Sequence, residues 1–100
     1  MFIHHVYFWL KNPENNDESA TLLKGIRSLA EIEPKISVNI GIPANTNRGV
    51  IDTSYSFSML LIFQNLKEQE SYQIHPIHLK FVEDCATLWS KVVVYDSVDI

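Results

Sequence analysis

All four histidines fall in two short stretches, His4-His5 and His75-Pro76-Ile77-His78, and Tyr72 lies just ahead of the second. An imidazole titrating near ~6.5 can take or give a proton at neutral pH. A phenol can donate a hydrogen bond to an oxygen that gains negative charge. Tyr72 and His78 together suit proton abstraction beside a carbonyl, with the enolate held by the tyrosine. Pro76 suits the first turn of a helix, and the positive end of that helix disfavours an imidazolium, leaving His78 a neutral base. A second reading is structural: Tyr72 and His75 lock a break between two helices by bonding to free backbone groups.

Other chemistry fits less well. Two histidines across a proline lack the His-Glu-x-x-His pattern and a third ligand, so no metal site is expected. The one cysteine, Cys85, lies on an apolar helical stripe, where a thiol is buried and inert. It has no partner for an internal disulfide. The Ser54, Ser56, Ser58 alternation reads as sheet surface, not as a nucleophile elbow.

These side chains must be positioned by alternating strands and helices. Residues 2–10 are almost all aromatic or aliphatic and stop at Lys11-Asn12-Pro13, which predicts a strand. Residues 14–33 read as a helix capped by Asn15, Asn16 or Asp17, with Leu22, Leu23, Ile26, Leu29 and Ala30 on one stripe. Gly25 inside it allows a close approach, which we expect to be to the sheet. Residues 35–42 alternate as a strand with one covered face, and 43–53 form a loop rich in Pro, Asn and Gly that is expected to be mobile or to reach over a partner. A strand over 54–63, helices over 65–74 and 76–89, and a strand over 91–97 follow. The order β-α-β-β-α-α-β is the ferredoxin-like split βαβ layout, an α+β fold with a four-stranded antiparallel sheet. Right-handed crossovers place 2–10 and 54–63 side by side in the centre.

Helices can cover only one face of such a sheet, yet both faces of the central strands carry large apolar groups. The expected remedy is a homodimer through the sheet face, two sheets packing into a dimeric α/β barrel. We expect Val6, Phe8, Leu60, Ile62 and Val93 to face the partner. His5, Tyr7 and Trp9 are then expected on the helix side, where His5, Tyr72 and His78 converge on a pocket walled by Tyr7, Trp9, Phe57, Met59, Leu61, Phe81 and Trp89. A mostly apolar pocket with a few convergent polar groups suits a small apolar or aromatic ligand.

Composition narrows the classes further. One hundred residues make one domain, and 46% hydrophobic against 20% charged residues exclude a disordered chain. A net charge of −4 argues against nucleic acid as a partner. The apolar N-terminus lacks a basic leader and a cleavage site, and no run is long enough to span a bilayer, so a cytoplasmic protein with no membrane partner is expected.

The stretch from Ser71 to Val82, with its Tyr-x-x-His-Pro-x-His core, resembles the signature of the stress-responsive α/β-barrel (Dabb) family. His4 to Lys11, the strand ending in Phe63, and Val92 to Asp96 resemble it too, so the likeness covers nearly the whole chain. It implies a ferredoxin-like fold dimerising through its sheets. The family includes a plant polyketide cyclase that closes an aromatic ring without a cofactor. The resemblance implies catalytic roles for Tyr72 and His78, which match the cyclase's acid–base pair. His5 matches a further pocket histidine, and His75 the motif histidine. The cyclase has a histidine in place of Phe57 and a tyrosine in place of Arg27. Three readings stand: a cofactor-independent cyclase-like enzyme on a small oxygenated molecule, a non-catalytic ligand-binding or stress-response protein, and a dimerisation module with a filled core. Nothing marks the oxygen-activating site of the related dimeric α/β-barrel monooxygenases.

Overall fold

The computed structural model describes residues 1–100. The strands are β1 (Phe2–Leu10), β2 (Ser37–Gly41), β3 (Phe57–Phe63) and β4 (Trp89–Val98). The helices are α1 (Asn16–Leu29), α2 (Leu66–Gln73) and α3 (Pro76–Cys85), and a single 3-10 turn, Ala86–Leu88, follows α3. The sheet is antiparallel in the order β2-β3-β1-β4, with the two most apolar strands in the centre. The expected ferredoxin-like α+β fold is the one found.

Local chemistry sets the helix ends. The Asn15 side chain accepts from the Glu18 N–H, and Asn65 does the same for Glu68. His75 caps α3 by accepting the Ile77 N–H on Nδ1, and Pro76 occupies the first turn, where a missing N–H costs nothing. Several elements are shorter than the sequence pattern suggests. α1 stops at Leu29 although Ile32 continues the apolar stripe; Ile32 is buried all the same, carried by the turn that follows. β3 begins only at Phe57, and Trp89 opens β4 instead of closing α3.

The three helices cover one face of the sheet. Leu22, Ile26 and Leu29 of α1 and Phe81 of α3 pack on Phe2, Val6, Phe8, Met59, Leu61 and Phe63. Fully burying a side chain of this size contributes about 1.5–3 kcal/mol. Gly25 does serve a close approach, but to α3 and not to the sheet. A Cβ built there would sit 2.6 Å from Cys85 Sγ and 2.9 Å from Phe81 Cδ1.

The face assignment of β1 must be corrected. Val6 and Phe8 belong to the core, 5% and 2% exposed, and they pair with Met59 and Phe57. His5, Tyr7 and Trp9 lie on the outer face. The physical reason is that Phe2, Val6, Phe8 and Leu10 have no polar atom to satisfy, whereas Tyr, Trp and His keep a polar tip that needs a partner or water. On β3 the expected faces hold: Phe57, Met59, Leu61 and Phe63 face the helices. Leu60 and Ile62 are on the outer face, as is Val93 beside Tyr7. No helix is long and apolar enough to cross a membrane.

Candidate functional site

The break between α2 and α3 turns two side chains toward the sheet. Tyr72, near the end of α2, and His78, in the first turn of α3, meet edge to face with ring centroids 4.9 Å apart. His4 comes up from β1 and lies 5.7 Å from the Tyr72 ring. The three line one cavity of about 150 Å³ between sheet and helices. Its remaining wall is mostly apolar, with Phe8, Met59 and Phe81 prominent. Trp89 is aimed into it by the register shift at Trp9/Leu10, which pairs Trp89 with Leu10. Phe8, Phe81 and Trp89 form a three-ring cluster, with centroids 5.5–5.9 Å apart, that narrows this end of the space.

Electrostatics favour neutral rings. Burial, and then the neighbouring His4, hold the His78 pKa below its ordinary value. Both causes act in the direction expected of a ring in the first turn of α3. His78 Nδ1 is buried and has no hydrogen-bond partner. Burial pushes the Tyr72 phenol well above its ordinary value, so it stays protonated and able to donate. His4 is held from the other side: its Nδ1 lies 2.6 Å from Asp96 Oδ1, across the β1–β4 pairing. A carboxylate so placed fixes the ring's orientation and leaves Nε2 as the nitrogen available to another partner.

Five of the residues expected at the site gather here: Tyr72, His78, Met59, Phe81 and Trp89. Five do not. His5, Tyr7 and Trp9 lie on the opposite face of the sheet. Phe57 is on the helix side but lines a neighbouring cleft with Arg27, Leu23 and Ile40. His75 is occupied by its cap hydrogen bond and stays outside. His4, Asp96 and Phe8 are the residues the sequence reading missed. Alternation states that His4 and His5 oppose each other; the other even positions of β1, Phe2, Val6, Phe8 and Leu10, carry no polar side-chain atom and were the signal for which one turns inward. Nothing in the sequence pairs His4 with Asp96. No three His, Cys, Asp or Glu side chains gather closely enough to hold a metal ion.

Solved structures share this architecture. A Dabb family protein with a ferredoxin-like fold from Mesorhizobium loti is 24% identical, with a TM-score of 0.80, covering 99% of this chain and 96% of that one. A dimeric ferredoxin-like protein of unknown function from Thermobifida fusca is 17% identical, with a TM-score of 0.76 over 98% and 90% of the two chains. A hydroxynitrile lyase from Passiflora edulis is 16% identical, with a TM-score of 0.77 over 99% and 93%. At these identities the likeness shows the fold. No curated protein matches the sequence. The family model of the Stress responsive A/B Barrel Domain matches residues 3–99, nearly the whole chain, and the chain therefore belongs to the stress-responsive A/B barrel (Dabb) family.

Proposed function

We propose that the protein is a homodimeric, cofactor-independent acid–base enzyme acting on a small oxygenated, partly apolar molecule. The observation that carries the reading is the contact of Tyr72 with His78, at 4.9 Å, on a cavity where His78 Nδ1 has no partner in the chain. A buried polar atom left unpaired costs about 1–3 kcal/mol, which a ligand hydroxyl or carbonyl hydrate would recover. In this reading His78 removes a proton next to a carbonyl, and Tyr72 donates to the enolate oxygen. His4, oriented by Asp96, holds the ligand's second polar group. A cavity of about 150 Å³ takes a ring the size of benzene rather than a long chain. The hydroxynitrile lyase of the same fold supports the idea that a chain this short can house chemistry.

The homodimer rests on the outer sheet face. Ile3, Leu60, Ile62 and Val93 stand there without cover from any helix, and the relative from Thermobifida fusca is dimeric. We place the partner's sheet against this aliphatic part.

The test is hydrogen exchange at the methyl group of acetophenone in heavy water. The unmodified protein should accelerate it. His78→Ala should abolish the acceleration, and Tyr72→Phe should reduce it by about 10²–10³-fold. Equal rates in all three proteins would overturn this reading and leave the two non-catalytic ones, ligand binding and a dimerisation module.

A further inference from the structure

The outer face of the sheet carries one imidazole in the middle of its aliphatic patch. His5 stands on β1 directly opposite Leu60 of β3 and Tyr95 of β4, with Ile3 and Tyr7 on either side along its own strand. Ile62 and Val93 are its diagonal neighbours. The ring is half-buried in the single chain, and that burial already holds its pKa below the ordinary value. It leans on Tyr7, with ring centroids 4.5 Å apart and Nδ1 3.2 Å from the hydroxyl. Burial, then the neighbouring Tyr55 and Tyr95, raises the Tyr7 pKa, so the phenol keeps its proton and can donate it to a neutral His5.

A positive charge at this position finds no counter-charge. Tyr7 and Tyr95, the titratable groups that face His5 from its own and the neighbouring strand, are phenols and bring no carboxylate. β2 adds only Ser37, Asn39 and Gly41 to this face, and the helices lie across the sheet. Lys91, itself a cation, is the one charged side chain on the strands of the outer face. It lies over the Trp9 ring, 4.5 Å from its centroid, and Trp9 is ~13 Å along β1 from His5. The carboxylates at the rim are engaged. At the Trp9 end Asp52 Oδ1 accepts the Ser54 N–H at 2.8 Å, and beyond Phe2 Asp99 pairs with the N-terminal ammonium at 2.9 Å. A second sheet laid on this one brings the same strands and removes water from the ring. A neutral imidazole tolerates that beside Leu60; an imidazolium loses its hydration and gains no partner.

We propose that His5 is a proton switch on the dimer: neutral, it packs between the two sheets, and protonated, it separates them into folded protomers. The switch requires the sheet-to-sheet homodimer already proposed, and it is independent of any chemistry at Tyr72 and His78, which lie across the sheet. Its sign is fixed. The free protomer binds the proton more readily than the dimer, so association is at full strength above pH ~6.5 and weakens as pH falls below it. Two-fold symmetry gives each dimer two such rings, which steepens the response.

The test is sedimentation equilibrium of the unmodified protein at about pH 7.5 and about pH 5, with far-UV circular dichroism at both. The dimer dissociation constant should rise by at least about tenfold at the lower pH while the helix signal persists. His5→Gln, neutral at both, should hold that rise below about threefold. His5→Lys, charged at both, should raise the constant by at least about tenfold already at the higher pH. Both substitutions lie outside the helix-side core, so one variant remains readable if the other folds poorly. A dimer equally tight at the two pH values would overturn the switch and leave the homodimer standing, whereas a monomer at the higher pH would overturn both. A pH response undiminished in His5→Gln, a dimer of unchanged strength in His5→Lys, or loss of the helix signal at the lower pH would also overturn the switch.

Discussion

His4 and Asp96 face each other across the β1–β4 pairing, and the imidazole Nδ1 lies 2.6 Å from the carboxylate. His4 is buried while the Asp96 side chain is 43% exposed. The pair therefore runs from the cavity to the surface, with the acid at the wet end. Asp96→Ala should free the His4 ring and reduce exchange activity by at least about tenfold, well short of the ~10⁴-fold lost when a triad histidine takes the wrong tautomer. A rate equal to that of the unmodified protein would remove Asp96 from the site.

His78 makes stability depend on pH with a fixed sign. Its folded pKa is depressed below the unfolded value near ~6.5, so the unfolded state binds the proton more readily. The stabilisation is complete above the unfolded pKa and is lost as pH falls through the folded one. His5, also depressed by burial, acts in the same direction. Urea midpoints should fall between pH 7 and pH 5, and His78→Leu should flatten the slope without removing it. An identical slope in the variant would show that His78 does not titrate in this way. The same depressed pKa places the acid limb of any His78-dependent rate below ~6.5.

Gly25→Ala sets two effects against each other. Helix propensity favours alanine by about 1 kcal/mol. The added methyl would press on Cys85 Sγ at 2.6 Å and on the Phe81 ring, and overpacking of this kind costs about 1–3 kcal/mol. Packing should win, and thermal denaturation should show a lower Tm. A higher Tm would mean that α1 and α3 separate freely.

Leu60→Asp puts a charge on the outer sheet face without touching the core. The variant should sediment as a monomer where the unmodified protein sediments as a dimer, because an unpaired buried charge costs several kcal/mol. Phe8→Asp is not a test of the interface, since Phe8 is in the helix-side core and its loss would unfold the chain. A monomer before substitution contradicts the dimer.

Strand and helix order were legible in the sequence because periodicity, caps and prolines all pointed the same way. Asn15, Asn65 and Pro76 mark helix starts by chemistry that acts within a few residues. The faces of β3 were legible too, since serines alternate with Phe57 and Met59. β1 was not, because both of its faces are aromatic and alternation alone is blind to which one is inside. That choice is made by pairing: Phe8 opposite Phe57 and Val6 opposite Met59 build one polar-free surface. The resulting shift of one residue turned His4 inward and His5 outward. Asp96 was out of reach because it joins His4 only through tertiary register, ninety-two positions along the chain.

The central claim is that Tyr72 and His78 act on one small ligand in one cavity. A crystal structure of the protein with phenol bound tests it most directly. The account predicts the ring against Met59 and Phe81, with its oxygen within hydrogen-bond reach of both the Tyr72 hydroxyl and a His78 ring nitrogen. Phenol found elsewhere, with Phe8, Phe81 and Trp89 closed over the space beside Tyr72, would contradict it.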